Sequence, residues 1–453
     1  MIKKVSRRLF LKMTALFAFF LSIGKVDYSY ASGADATGSM PGGEGGEKMN
    51  PGVDEDGLSR VYIASGHSPE ENIKEAVRLM GGIEKMIGTD DIVVLKPNAQ
   101  WWNQGTTNTN NMKGFIEGVL AIKDFRGEII IAENHHYKEL DSRGWTTEER
   151  NGDYNLNELV QYFNDAGFAN VSKYHWVDGG PNPQPQEGTG GGGQRVPSVS
   201  EGDGYVWLKD EIYVSPENRK CMMTCPVFTS PYSGAKIDLK KGVLEGGEYI
   251  DKVKLVNFSC LNHHGQSFGV TASIKNLMGV VDLTCGYHGT EPEGFYNVHF
   301  VGEMSLLYKS GIGLKYYGKR FGFGSAFGKK MQEMGSWSTQ YTGGALGHWM
   351  KRVKMPDINI LAAEYVGWGG RGRKGPEKRE RANTVAISHD PVALDYVGAM
   401  HILLPATPEK ETFYRNLNNP HKKPFRSFLE ECHRQGIGNL DAQKIKIIRS
   451  TSQ

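Results

Sequence analysis

Cysteine is scarce in this chain. There are five in 453 residues, at positions 221, 225, 260, 285 and 432. An odd and low count excludes a disulfide framework. Cys221 and Cys225 form the one close pair, and their C-x-x-x-C spacing is neither a redox C-x-x-C nor a ferredoxin cluster motif. The sequence therefore offers no iron–sulfur motif, and it leaves open whether these two are a disulfide or two small buried thiols. Charge of one sign is also lacking, with 53 Lys/Arg against 51 Asp/Glu. Residues 1–31 hold six of the basic residues and one acid, so the remainder carries 47 basic and 50 acidic residues. That balance gives no electrostatic footprint for nucleic acid. H-E-x-x-H, G-x-x-x-x-G-K-[ST], G-x-G-x-x-G and internal repeats are all missing, so no metal ligand set and no nucleotide motif is assigned.

Long apolar runs are missing too, apart from Met13 to Ile23. That run is too short to span a bilayer comfortably. It follows Ser6-Arg7-Arg8-Leu9-Phe10-Leu11-Lys12 and precedes Gly24-Lys25 and the small-residue site Ser29-Tyr30-Ala31. This pattern resembles a twin-arginine export signal. It implies a protein exported in the folded state by the twin-arginine machinery, with the periplasm as its compartment and no stable membrane span after cleavage. Residues 32–57, rich in Gly, Glu, Asp and Pro without apolar periodicity, read as a flexible leader.

What is present is an alternation of short apolar runs and helical stripes. Arg60–Ala64 reads as a strand. Ser68-Pro69-Glu70-Glu71 supplies an N-cap, a proline at the first helical position and a capping-box acid, and Ile73, Val77, Met80 and Ile83 form the stripe that follows. Ile92–Leu95 has four apolar residues in a row, as expected of a strand buried on both faces. Strands are also expected at Glu128–Glu133, Val253–Phe258, Ile358–Ala362 and Thr384–Ser388. Helices are expected at Met112–Lys123, Leu156–Ala166 and Pro391–Leu404. The fold class is α/β, a largely parallel sheet flanked by helices, with long loop insertions. The α/β domain spans residues 58–405, with insertions near 179–204 and 304–350, and residues 406–453 read as a helical C-terminal extension. The second insertion interleaves aromatic and basic residues and is read as an ordered cap.

Parallel sheets bind ligands beyond the carboxyl ends of their strands. Three polar segments follow expected strands directly: Lys96-Pro97-Asn98, Glu133-Asn134-His135-His136, and Cys260–Gly279, CLNHHGQSFGVTASIKNLMG. The last carries His263, His264, Lys275 and Asn276, side chains that bind anions or move protons. Neighbours on a strand face opposite ways, so one histidine at most enters a given pocket unless Gly265 turns the chain. A helix opening at Thr271 or Ser273 would favour an anion at its N-terminus. Asp390 reads as an N-cap before Pro391; Asp395 is left open.

Leu95-Lys96-Pro97-Asn98, Gly269-Val270-Thr271 with Ile274-Lys275-Asn276-Leu277-Met278-Gly279, and Asp390-Pro391-Val392-Ala393-Leu394-Asp395 together resemble the domain-of-unknown-function family 362 (DUF362). The resemblance implies that His264 is the family histidine and that Lys275 and Asn276 are central. It also implies a lysine shortly before the histidine, where this chain has Asn262, and the ferredoxin motifs of some members are lacking here. The expected site has His264, Lys275 and Glu133 as catalytic groups and Lys96, Asn98, Asn276 and His263 as ligand-binding groups, acting on a small anionic ligand, with the cofactor unknown. The expected function is an exported enzyme or redox-associated protein. The alternative is a non-catalytic extracytoplasmic binding protein for a ligand, metal or cofactor.

Overall fold

The computed structural model describes residues 50, 52–99, 105–134, 150–176, 195–283, 294–321, 325–368, 371–372, 375–376 and 378–450. Residues 1–49, His135, His136, Cys285 and most of the 179–204 insertion lie outside the described residues. The strands run in chain order as β1 (Ser59–Ser65), β2 (Ile92–Pro97), β3 (Glu128–Glu133), β4 (Val171–His175), β5 (Gly204–Val214), β6 (Lys220–Thr229), β7 (Lys236–Asp238), β8 (Gly242–Glu245), β9 (Glu248–Ile250), β10 (Val253–Gly265), β11 (Gly269–Thr271) and β12 (Ile358–Gly367). The two-residue β13 (Arg371–Gly372) and β14 (Gly375–Pro376), then β15 (Arg379–Ser388) and β16 (Ile445–Arg449), complete the set.

The main sheet has the order β16-β1-β15-β12-β10-β2-β3-β4, with β11 hairpinned onto β10. Its centre, from β12 through β10, β2 and β3 to β4, is parallel throughout. β15 runs antiparallel between β12 and β1. β16 pairs parallel with β1, so the C-terminal segment is helical and then returns to close one edge of the sheet. A second sheet of five antiparallel strands, β5 to β9, was not legible as such in the sequence.

The central strands alternate their apolar side chains between two cores. Val93, Leu95, Ile129, Ile131, Val256, Phe258 and Ile360 pack beneath the helices Pro69–Leu79, Thr109–Leu120 and Leu156–Asp165. Ile92, Val94, Ile130, Leu255 and Leu361 face the five-stranded sheet and the helix Pro391–Gly398. Both faces are covered, which is why these strands read as continuous apolar runs. The capping box of Ser68 and Glu71 forms as expected. The helix expected from Met112 begins at Thr109, because the Asn108 carboxamide accepts from the Asn111 N–H at 3.0 Å and caps a polar, buried first turn. The helix opened by Asp390 changes to a π turn over Ala399–Leu403 just before Pro405, whose ring cannot sit inside a regular helix. Cys221 and Cys225 are both buried on β6. Four residues along a strand separate their Cα atoms by about 13 Å, beyond the reach of a disulfide.

Two buried carboxylates tie distant segments together. Asp390 accepts from the backbone of Val392, Ala393 and Asn439 and from Ser59 Oγ, joining the start of β1, the start of a helix and the C-terminal segment. Asp395 accepts from Ser273 N (2.7 Å), Ser273 Oγ (2.5 Å) and Ile274 N (3.1 Å). Burial pushes the Asp390 carboxyl up to about 6 and the Asp395 carboxyl up to about 7, against the pull of these donors. Both values are raised above those of the unfolded chain, so the stability they carry is complete below about pH 4 and is lost as pH rises through 6 to 7. A shift to about 7 corresponds to on the order of 4 kcal/mol for Asp395 once it is fully ionised. The melting temperature of the wild type is therefore expected to fall more steeply between pH 5 and pH 8 than that of Asp395→Asn. Parallel curves would contradict the assignment.

Candidate functional site

The carboxyl ends of β2, β3, β10 and β12 lie on one edge of the sheet because these strands are mutually parallel. Lys96, Glu133 and Asn262–His264 all reach that edge. Three of the expected site residues meet there. The Lys96 ammonium donates to Glu133 Oε2 (2.8 Å), Asn276 Oδ1 (2.9 Å) and the Pro97 carbonyl (2.6 Å). Lys96 is 1% exposed and Glu133 3%. Three acceptors match the three N–H donors of an ammonium, so the geometry is that of a charged lysine. Burial pushes the Lys96 ammonium below the ordinary lysine range, and the Glu133 carboxylate and Cys260 pull it back up.

This ion pair begins a chain of hydrogen bonds that crosses the sheet. The Asn276 carboxamide donates to Asn257 Oδ1 at 2.8 Å, and Asn257 donates in turn to Asn359 Oδ1 at 2.9 Å. Asn359 donates to the His389 carbonyl at 3.2 Å. Lys96, Asn257 and Asn359 are register neighbours on adjacent strands, so one row of the sheet is polar in the middle of an apolar core. Asn257 and Asn359 were not singled out in the sequence. The signal was available, since each is a carboxamide flanked by apolar residues within a strand, Val256-Asn257-Phe258 and Ile358-Asn359-Ile360.

The K-N-x-x-G motif now divides into parts. The helix Ser273–Asn276 is one turn long and its N-cap residue, Ala272, offers no side chain for capping. The Asp395 carboxyl group takes its first N–H groups instead, so the acceptor at this helix start belongs to the protein. Asn276 anchors the turn to the sheet. Gly279 passes so close to the ion pair that a Cβ there would overlap both Glu133 Oε1 and Lys96 Nζ. Lys275, in contrast, leaves the network. Its ammonium lies 3.3 Å from Met278 Sδ and 4.5 Å from the centre of the Phe268 ring.

Phe268 gathers further groups. The His264 ring stands edge-on to it at 5.1 Å, held by Nδ1 against Thr271 Oγ1 at 2.5 Å. His299 lies at 5.7 Å from the same ring and Trp337 also at 5.7 Å. An ammonium and two imidazoles thus surround one buried phenyl ring beside the end of β10. The Lys275 ammonium over the face of the ring is stabilised by the ring's quadrupole. His299 and Trp337 come from positions that carried no motif, and Phe268 lies inside the Cys260–Gly279 segment but was not singled out there. His264 reaches this cluster because Gly265, at φ +100°, turns β10 into β11.

The other expected residues lie apart. His263 points the opposite way, with Nδ1 2.6 Å from Asn418 Oδ1 and its ring edge-on to Tyr414 at 5.1 Å. Asn98 is buried in the turn after β2, where its backbone pairs with Thr106 and Thr107. Asn262 accepts from the Gly367 N–H at 2.6 Å where the β10–β12 pairing shifts register, so its carboxamide completes the ladder at an irregularity. Among the described residues no group of three or more His, Cys, Asp or Glu side chains is arranged to hold a metal ion.

Residues 235–400 match the family model described as a domain of unknown function (DUF362). That span contains β10, the helix Ser273–Asn276 and the Asp390–Asp395 segment, but not Lys96 or Glu133. No curated protein and no solved structure matches the chain.

Leaving one partner of a buried ion pair without the other costs about 3–5 kcal/mol. Lys96→Met is expected to destabilise the protein by that amount in urea unfolding, and Gly279→Ala by a comparable amount. The double variant Lys96→Met/Glu133→Leu is expected to lose less than the sum of the two single losses. Additive losses would mean that the pair is not coupled.

Proposed function

We propose that this protein is exported and binds a small anion, a carboxylate or phosphate, at the Phe268 cluster. Lys275 supplies the fixed charge and His264 the group that gains or loses a proton. The observation that carries the reading is the convergence of Lys275, His264 and His299 on one buried ring at the ligand-binding edge of a parallel sheet. In a poorly solvated setting a full charge interacts with an anion more strongly than in water. Thr271 holds Nδ1 of His264, which fixes the ring's orientation, and the imidazole is the group that titrates near neutral pH. Lys96, Glu133 and Asn276 act one step back: their buried network sets the position of the turn from which Lys275 projects. Export rests on the paired arginines Arg7 and Arg8 ahead of a short apolar run.

The binding test is a thermal-shift panel of phosphate, sulfate and small mono- and dicarboxylates. At least one anion is expected to raise the wild-type melting temperature by several degrees, and Lys275→Gln is expected to abolish that shift while leaving the unliganded melting temperature within about 2 °C. No shift with any anion, or equal shifts in the variant, would overturn the reading. With the anion identified, His264→Ala separates enzyme from carrier. An enzyme loses turnover while part of its binding survives, whereas a carrier changes affinity alone.

Export has its own test. Arg7→Lys/Arg8→Lys is expected to leave full-length precursor in the cytoplasm of a twin-arginine-competent bacterium, whereas the wild type is processed and recovered in the periplasm. Equal recovery of both would contradict the twin-arginine assignment.

A further inference from the structure

We propose that the helical excursion over residues 304–338 docks the protein on the surface of an anionic lipid bilayer. The excursion leaves and returns at one place. Met304 and Trp337 form an antiparallel bridge, Ser305 N donates to the Ser336 carbonyl at 2.8 Å and Ser338 N to the Glu303 carbonyl at 2.9 Å. Beyond this neck the helices Leu306–Phe321 and Ser325–Met334 pack on one another.

Two independent observations select the partner. The first is apolar exposure. Met334 at 69% and Leu306 at 65% are the two most exposed large apolar side chains among the described residues, and Phe327 is 51% exposed. Three exposed apolar side chains of this size on one pair of helices mark a surface that meets something apolar. The second is charge. Residues 304–338 hold six Lys/Arg and one acid, while the whole chain is close to balanced. Exposed Lys309 and Lys330 belong to that set. Among the described residues, exposed Leu306 and Lys309 on one helix and Phe327, Lys330 and Met334 on the other combine apolar and cationic groups, which match a surface that is apolar below and negative at the headgroups.

The excursion lies on the bilayer and does not cross it. A 16-residue helix is about 24 Å long against a hydrocarbon core of about 30 Å. No helix among the described residues is long and apolar enough to span. The neck also reaches the Phe268 cluster, because Trp337 lies 5.7 Å from the Phe268 ring and Tyr308 OH 3.3 Å from Ser267 Oγ. Docking would therefore hold that cluster close to the membrane surface. The proposal stands on the excursion alone and does not require an anion at Phe268.

The test is vesicle co-sedimentation of the chain from Ser32 onward. This form keeps every described residue and removes the apolar run Met13–Ile23 as a competing anchor. On the order of 10-fold more protein is expected on vesicles of phosphatidylcholine with phosphatidylglycerol than on phosphatidylcholine alone, and high salt is expected to remove most of the difference. The triple variant Leu306→Asp/Phe327→Asp/Met334→Asp is expected to lose the binding with an unchanged melting temperature. Lys309→Gln/Lys330→Gln is expected to weaken it several-fold and serves as the reading if the triple variant fails to fold. Equal binding to both vesicle types, no binding to either, binding to nucleic acid in place of vesicles, or variants that bind like the wild type would each overturn the proposal.

Discussion

The chain of hydrogen bonds from Glu133 through Lys96, Asn276, Asn257 and Asn359 is the constraint on which the site depends. All five side chains are buried, four of them on or beside the central strands and one on the turn above. A buried polar network is stabilising only when each member is satisfied; half-satisfied, it is worse than an apolar core of the same shape. Each donor in this chain has an acceptor inside the protein, and the direction of donation runs without a break from the ammonium to the His389 carbonyl. The residue types at these positions are therefore fixed as a set. Replacing one carboxamide by a hydrocarbon of similar size leaves two neighbours without partners.

The same network explains how a single turn of helix is held in place. A four-residue helix has no stability of its own in water. Here its start is held by Asp395, its end by Asn276, and its exit by Gly279 against the ion pair. Asn257 adds a bond to the Ser273 carbonyl at 2.9 Å. With the turn fixed from both ends, Lys275 has little choice of direction and points to Phe268. A lysine rotamer set by its neighbours loses less conformational entropy on binding than a free surface lysine.

Much of this was legible in the sequence, and the reasons are local. Ser68-Pro69 and Asp390-Pro391 carry their capping chemistry in adjacent residues, so both helix starts read directly. Ile92–Leu95 and Glu128–Glu133 carry their burial in an unbroken apolar run, so both strands read directly, and their parallel pairing follows from the helices between them. Lys96, Glu133, Asn276, Lys275 and His264 were legible as polar residues at strand ends. What the sequence did not carry was their grouping. Lys275 and Asn276 are adjacent in sequence, yet one faces a phenyl ring and the other an ion pair. His263 and His264 separate in the same way, one to Asn418 and one to Thr271. His299 and Trp337 join the cluster from loops whose contacts are long-range, and no spacing rule reaches them. Asn262, where the family resemblance implies a lysine, has a backbone role that appears only once the register shift between β10 and β12 is known.

The most direct measurement is a titration of the histidine imidazoles with the anion that gives the largest thermal shift, followed by nitrogen-detected NMR on selectively labelled protein. The His264 and His299 signals are expected to move together and saturate while His263 stays still, and Lys275→Gln is expected to remove the response. Motion of His263 alone, or a response that persists in Lys275→Gln, would contradict anion binding at the Phe268 cluster.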